Sequence, residues 1–373
     1  MKTVCIIGPL PPPVNGNSKA LDTIINSAEC KKNYRFLVLN LSEYYKSGVS
    51  GSISLGKIGG IIRVLGDLKK FQKENQIDTY YLSNAQSTGG VIRDILILRQ
   101  IKRNKKNSKV VIHLHGGGFK QFYSQSNQLI KWLTKKYYGV VDVAIVLGES
   151  LKDMFEGIIS DNKIRVIPNC VDDKYLIDKM TFDRKIENIL NNRPIKVLYL
   201  SNMVETKGYN DVFLAAKKCL EMGINTEFIF AGNFEAEKRE RKFRNEIERS
   251  GYGNRITYLG IVQGRAKVEL LTEADIFVLP TYYPFEGQPI SIIEAMGAGM
   301  PIITTNHAGI KDLVKDGVNG LFVEAKSPED ICSKLISLMD DKKKIKDMAT
   351  SNRKLVLEQY MEDNYLSNIM NIL

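Results

Sequence analysis

The sequence predicts an α/β protein built from two doubly wound domains, and three observations carry that prediction. Short apolar runs rich in β-branched residues recur along all 373 residues. Segments with helical spacing separate them. The glycine-bearing motifs fall just after the runs. Strands alternating with helices imply parallel sheets covered on both faces. Such sheets take ligands beyond the carboxyl ends of their strands, at helix N-termini.

In the first half the runs are "TVCIIG", "YRFLVLNL", "DTYYLSN", "KVVIHLHG", "VDVAIVLG" and "KIRVIPN". The opening run gives way to Pro and Gly punctuation and then to helical spacing from about Ser18. The second half restarts the pattern with "IKVLYLSN" and the helix-like "YNDVFLAAKKCLEMG", ending at Gly223. "NTEFIFAGN", "RITYLGIV", "ADIFVLP", "PIITTN" and "GLFVEA" continue it. The polar stretch from about Asp173 to Arg193 reads as a linker with a short helix. The expected division is a first Rossmann-like domain over 1–175, a second over 176–355, and a helical tail over 356–373 that packs back on the first. The two domains are expected to face each other across a cleft that holds the ligand.

Composition is globular, with 43% hydrophobic and 25% charged residues. The five cysteines are scattered, with no CxxC pair or Cys/His cluster. Free thiols in a reduced compartment, and no zinc site, are the simple expectation. The N-terminal apolar run is too short for a signal peptide, and no stretch of about twenty apolar residues exists. A cytoplasmic protein is expected, peripheral on the inner face of the cell membrane at most. The net charge of +11 favours acidic partners: nucleic acid, phosphorylated small molecules or an anionic membrane. Two basic clusters stand out, "RQIKRNKKNSK" (Arg99 to Lys109) and "KWLTKKYY" (Lys131 to Tyr138). Trp132, Tyr137 and Tyr138 among the lysines of the second suit either a helix lying on anionic lipid or an amphipathic helix with its aromatics in the core. No aromatic-basic nucleic-acid motif is present, so nucleic acid is not an expected partner.

Four motifs can carry chemistry. In "GPLPPPVNGNSKA", Gly16 precedes Ser18 and a helix, where backbone can approach a phosphate. In "VVIHLHGGGF", His113 and His115 are read as pointing to opposite faces, which excludes a shared metal ion. His115, next to the glycines, is the functional candidate and His113 a structural one. In "LYLSNMVETKGYNDV", Lys207 sits between a strand and its helix, where it can reach a diphosphate as a point charge. In "PFEGQPISIIEAMGAG", seven residues separate Glu286 from Glu294. Ser291 and Glu294 have the spacing of a capping box, a local reason for Glu294. Glu286 has no such reason. Gly287, Gln288, Pro289, Ile290 and Ser291 form a loop and helix start whose N–H groups suit a diphosphate. No D-x-D occurs, so a metal-bridged diphosphate is disfavoured and no metal ligands are assigned.

Taken together, these motifs resemble the retaining glycosyltransferases of the large GT4-type family, which have the GT-B fold. The resemblance rests on Glu286-x7-Glu294 within "EGQPISIIEAMGAGMPIITTNHAGIKDLVKDGVNGLFV", and on "KIRVIPNCVD", "LYLSNMVETKG", "PPPVNGNS" and "VVIHLHG". The second half matches closely and the first only at these short motifs. The resemblance implies a metal-independent transferase without a cofactor. Its donor would be a nucleotide-sugar, UDP-linked in first choice and GDP-linked in second. Gly16 would approach the donor phosphate and Lys207 would bind the diphosphate. His115 would lie at the anomeric centre, Glu286 would hold sugar hydroxyls and Glu294 the ribose. Backbone near Ile261 and Val262 would lie beside the base. The family commonly has an Arg where this chain has Asn202, so either another cation substitutes, such as Arg265, or the phosphate grip is weaker here. The acceptor expected is a glycan or lipid-linked precursor of a surface polysaccharide, met at an anionic membrane surface. Two alternatives are a soluble small-molecule acceptor and a nucleotide-sugar-binding protein without turnover.

Overall fold

The computed structural model describes residues 1–44, 55–105, 107–191 and 193–373. Lys106 of the first basic cluster and Asn192 of the expected linker lie outside them. Residues contact one another in two compact units. The first comprises Met1–Asn169, Phe285–Gln288 and Asp363–Leu373; the second comprises Cys170–Pro284 and Pro289–Glu362.

Every apolar run named above forms a strand. In the first unit these are β1 (Lys2–Gly8), β2 (Tyr34–Asn40), β3 (Thr79–Asn84), β4 (Lys109–Leu114), β5 (Val143–Val146) and β6 (Ile164–Val166). All pairings are parallel, in the order β2-β1-β3-β4-β5-β6. In the second unit β7 (Ile195–Leu200), β8 (Thr226–Ala231), β9 (Ile256–Tyr258), β10 (Ile276–Leu279), β11 (Ile302–Thr304) and β12 (Gly320–Phe322) form another parallel sheet. Its order is β12-β11-β10-β7-β8-β9. Buried runs such as β3 and β10, closed on every residue, explain why the strands read as continuous apolar stretches rather than alternating ones. Each sheet reverses its direction of growth once, between β1 and β3 and between β7 and β10. Those are the places where a doubly wound sheet leaves room for a ligand.

The chain end reads as one helix but is two, Lys342–Gln359 and Glu362–Met370. The break has no Pro or Gly. Tyr360 O instead accepts from the Val171 main-chain N at 2.9 Å, and Met361 bridges Val171, so strand-like pairing takes over the backbone there. The last residues belong to the first unit, where Tyr34 Oη donates to Met370 O (3.0 Å) and Thr79 Oγ1 to Leu373 O (3.1 Å).

The basic helix Gln128–Tyr138 resolves its aromatics in opposite senses. Tyr138 is buried and donates to Asn84 Oδ1 at 2.7 Å. Trp132 is 55% exposed and Leu129 63%, with Lys136 Nζ 4.4 Å from the Trp132 ring centroid. Among the described residues, no helix is long and apolar enough to cross a membrane.

The helix Lys179–Leu190 carries an ionisable group into the second core. Lys185 is 5% exposed, and its Nζ donates to Leu271 O (2.9 Å) and Ala298 O (2.8 Å). Burial lowers its pKa to about 7, with Asp275 opposing and Arg193 and Arg353 adding. Between that value and the ordinary 10.5 the unfolded chain holds a proton there that the folded chain has released. This group's contribution is therefore complete above about pH 10.5, declines as pH falls towards 7, and is flat below. Replacing Lys185 by Met should remove that slope. Urea unfolding of both proteins at pH 7 and pH 9 should show the wild type gaining roughly 2 kcal/mol relative to the variant at the higher pH.

Candidate active site

Each unit places candidate residues at or beside its own point of strand-order reversal. In the first unit the loop after β1 ends in a capping box. Asn15 Oδ1 accepts from Ser18 N (3.0 Å), and Ser18 Oγ accepts from Asn15 N (2.9 Å). The cap starts the helix Gly16–Asn26, with Gly16 exposed as its first residue. Ser83 Oγ at the end of β3 donates to Asn17 Oδ1 at 2.5 Å, fixing that helix start over the β1/β3 reversal.

The strand beside β3, β4, carries His113, and His115 follows its end. The expectation that they face opposite sides is wrong. Residues two apart on a strand share a face, and the rings of His113 and His115 lie 3.8 Å apart, centroid to centroid. That removes the stated ground for excluding a shared ion. Among the described residues, no group of three or more His, Cys, Asp or Glu is placed to hold a metal. His113 Nδ1 meets Tyr81 Oη at 2.6 Å, and burial and then His115 hold its pKa well below the ordinary value. His115 is lowered to about 4, by burial against an opposing contact from Asn169. Neither ring nitrogen of His115 meets the geometry of a hydrogen bond within the protein, though both are shut from solvent. A neutral imidazole so enclosed has one N–H to donate and one lone pair to accept.

The loop carrying Glu286 closes over this histidine. Glu286 is buried, as is Gln288. Asn169 N donates to Gln288 Oε1 and Asn169 Nδ2 to Gln288 O, both at 2.8 Å, so the Gln288 side chain clasps the loop rather than standing open to a ligand. Gly118 N donates to Gln86 Oε1 (2.8 Å), and Gln86 Nε2 reaches Phe285 O (3.4 Å). Gly287 is required for this approach, because a Cβ there would lie 2.5 Å from His115 O and 3.1 Å from Gly116 Cα.

In the second unit the β7/β10 reversal positions Lys207. Asn202 follows β7, and its carbonyl accepts from Tyr199 Oη at 3.3 Å. A one-turn 3-10 helix, Glu205–Lys207, ends at Gly208, whose φ of +77° and contact with Pro280 admit only glycine comfortably. Tyr282 N donates to Thr206 O (2.8 Å), tying the loop after β10 to the loop after β7. Lys207 Nζ stands 5.0 Å from the Tyr283 ring centroid, and His307 Nε2 holds Tyr283 O at 2.8 Å.

Glu294 does not take part in a capping box. The helix Ile290–Gly297 has Pro289 as its N-cap, without a side-chain cap bond, and Ser291 lies inside the helix. Glu294 is 1% exposed and pairs instead with Lys267, whose Nζ is 2.7 Å from Oε1 and 2.6 Å from Oε2. The same ammonium lies 4.5 Å from the Tyr175 ring centroid. Arg265, the substitute cation named above, has a side chain 92% exposed and pairs with Glu269 at 2.8 Å, one helical turn on. Ile261 is exposed after β9, and Val262 packs partly against the core. Asn169, Gln86, Lys267 and Tyr283 were not singled out from sequence. Asn169 lies in a motif quoted above, but Lys267 carries no local signal, since its partner is 27 residues away.

Comparisons with known proteins bear on the fold and the family. Residues 180–355 match the family Glycosyl transferases group 1, and residues 48–175 match Glycosyltransferase Family 4. Both models are of glycosyltransferases, and the fold is GT-B. Among curated relatives, an uncharacterized glycosyltransferase of Methanocaldococcus jannaschii is 25% identical over 61% of this chain and 58% of its own length. The capsular polysaccharide biosynthesis glycosyltransferase CapM of Staphylococcus aureus is 26% identical over 58% of this chain and 57% of its own length. The chain thus spans less than two thirds of these relatives. Among solved structures, Anabaena HepE in complex with UDP superposes with a TM-score of 0.73 at 16% identity, covering 100% of this chain and 99% of that one. That likeness shows the fold.

Replacing Gly287 by Ala should destabilise the first unit by about 2 kcal/mol through the forced contact with His115 O. Replacing Gly253, where an added Cβ meets nothing within 4 Å, should be near neutral. Thermal unfolding of the two variants side by side checks this; equal midpoints would refute the close approach.

Proposed function

We propose that the protein is a retaining glycosyltransferase of the hexosyl type. It would move a sugar from a nucleotide-sugar, UDP-linked in first choice, to an acceptor hydroxyl in the assembly of a surface polysaccharide or lipid-linked glycan. The observation that carries the reading is Lys207, set by the left-handed Gly208 at the β7/β10 reversal over Tyr283. A cation fixed at a switch point, near helix and strand ends, suits a diphosphate. The E-x7-E spacing of Glu286 and Glu294 supports it, as do relatives named for capsular polysaccharide biosynthesis.

In this reading the second unit takes the nucleotide. Lys207 neutralises the diphosphate, with N–H groups from Ile290 and Ser291 assisting. Asn202 supplies a polar contact but no charge. Arg265 would have to leave Glu269 to reach a phosphate. Glu294, oriented by Lys267, accepts from the ribose hydroxyls, and backbone at Ile261 and Val262 borders the base. The first unit handles the sugar. Glu286 accepts from its hydroxyls, and neutral His115 donates a hydrogen bond near the anomeric carbon. Gly16 brings backbone N–H towards the phosphate. Retention follows a front-face course: as the C1–O bond to the diphosphate breaks, the acceptor oxygen bonds to C1 from the same face and its proton passes to the departing phosphate oxygen. Protein cations and N–H groups stabilise the charge on the leaving group, so the reaction proceeds without a metal.

The test is a thermal-shift and turnover screen of UDP-, GDP-, ADP- and dTDP-sugars, with and without chelator. Binding to the folded state alone raises the midpoint. A shift with a UDP-sugar that ignores chelator is expected. Lys207→Ala should lose most of that shift, while Glu286→Gln should keep binding and lose turnover by about 100-fold or more. Silence with every donor at millimolar concentration would overturn the reading.

The exposed Trp132 and Leu129, set among Lys131, Lys135 and Lys136, favour a membrane-displayed acceptor over a soluble one. The protein should sediment with vesicles containing anionic lipid, and Trp132→Ser should weaken that binding several-fold. Equal recovery with neutral and anionic vesicles would count against the membrane.

A further inference from the structure

We propose that Cys219 and Cys332 form a reversible disulfide, making the second unit a target for a small peroxide oxidant. Nothing in the proposed transferase chemistry uses these residues. Cys219 lies in the last turn of the helix Tyr209–Glu221 and Cys332 near the start of the helix Pro328–Asp340. Their sulfurs are 2.9 Å apart, and both side chains are buried. A disulfide is about 2.05 Å long, so the bond needs each sulfur to move by only about half an ångström. One residue before Cys219, Lys218 Nζ pairs with Glu329 Oε1 at 3.3 Å across the same two helices.

Cys5 and Cys30 are in the first unit, and Cys170 stands half-buried at the start of the second. Burial, and then the hydrogen bond between the two thiols, push the Cys219 thiol well above its ordinary pKa. Both side chains are buried, so a small uncharged oxidant reaches them during local opening. The chemistry balances in two steps. One thiol attacks hydrogen peroxide, breaking the O–O bond to give a sulfenic acid and one water. The second thiol then attacks the sulfenic sulfur, forming the S–S bond and releasing a second water. Both sulfurs are oxidised and the peroxide is reduced. A thiol reductant reverses the change.

The bond would close a loop between residues 113 apart, a constraint that falls mainly on the unfolded chain. It would also fix the far end of the helix that begins immediately after Lys207 and Gly208.

The experiment treats the full chain with hydrogen peroxide, blocks remaining thiols with N-ethylmaleimide in denaturant, and maps peptides without reduction. The expected product is the Cys219 peptide joined to the Cys332 peptide, lighter by two hydrogens than the pair of free peptides. The thermal midpoint should rise by roughly 5–10 °C and return with dithiothreitol. Cys332→Ala should abolish the rise and Cys170→Ala should keep it. Recovery of both cysteines alkylated, either one as a lone sulfinic acid, or either one joined to a different cysteine would overturn the proposal. The peptide map uses the unmodified sequence, so it decides the matter even where a variant folds poorly.

Discussion

Every strand in both sheets runs parallel, and that single constraint organises the rest of the molecule. A parallel strand cannot return by a hairpin, so each connection crosses a face and each strand ends on the same edge. Where the order reverses, the connections leave to opposite faces of the sheet, and main-chain groups at the strand ends stay available. In the second sheet the loops after β7 and β10 meet there, joined by Tyr282 N and Thr206 O. Gly208 against Pro280 sets the angle from which Lys207 projects over Tyr283. In the first sheet the Ser83–Asn17 contact performs the same fixing at β1 and β3.

Buried polar groups then mark which positions structure has claimed and which it has left for a ligand. Asn169 is satisfied by Gln288 and Glu294 by Lys267, whereas His113 meets Tyr81 through Nδ1 only and keeps a buried Nε2 without a hydrogen bond. The first two pairs avoid the penalty of a buried group without a partner. His115 departs further from the rule, with both ring nitrogens enclosed and neither bonded within the protein. Folding tolerates such a group when its cost is offset elsewhere, and a bound hydroxyl would satisfy it. The Lys267–Glu294 pair bears on the proposed ribose contact differently. The ammonium fixes the carboxylate's position, so any ribose would meet an oxygen already oriented.

The fold was legible because burial on both faces leaves a direct trace in the chain: short, continuous, β-branched runs at intervals that a helix fills. All of the named runs are strands for that reason. The site was legible in part. Lys207-Gly208 and the glycines around His115 fall where strands end, a position the local pattern reveals. The relation of His113 to His115 was misjudged, although the two-residue period of a strand dictates one shared face. The Ser291–Glu294 spacing suggested a cap that the backbone does not make, since Pro289 occupies that position and the carboxylate finds a stronger, charged partner.

The sequence by itself determined the class of fold, the places where strands stop, and the residue types at those stops. These follow from local periodicity and backbone preference, which act over a few residues. Only the tertiary structure decided who partners whom. Lys267 reaches Glu294 across 27 residues, Asn169 clasps Gln288 across 119, and Cys219 meets Cys332 across 113. Side chains so far apart in the chain are brought together by the packing of helices on a sheet. The energy of that packing is spread over the whole core, so no short stretch of sequence contains it.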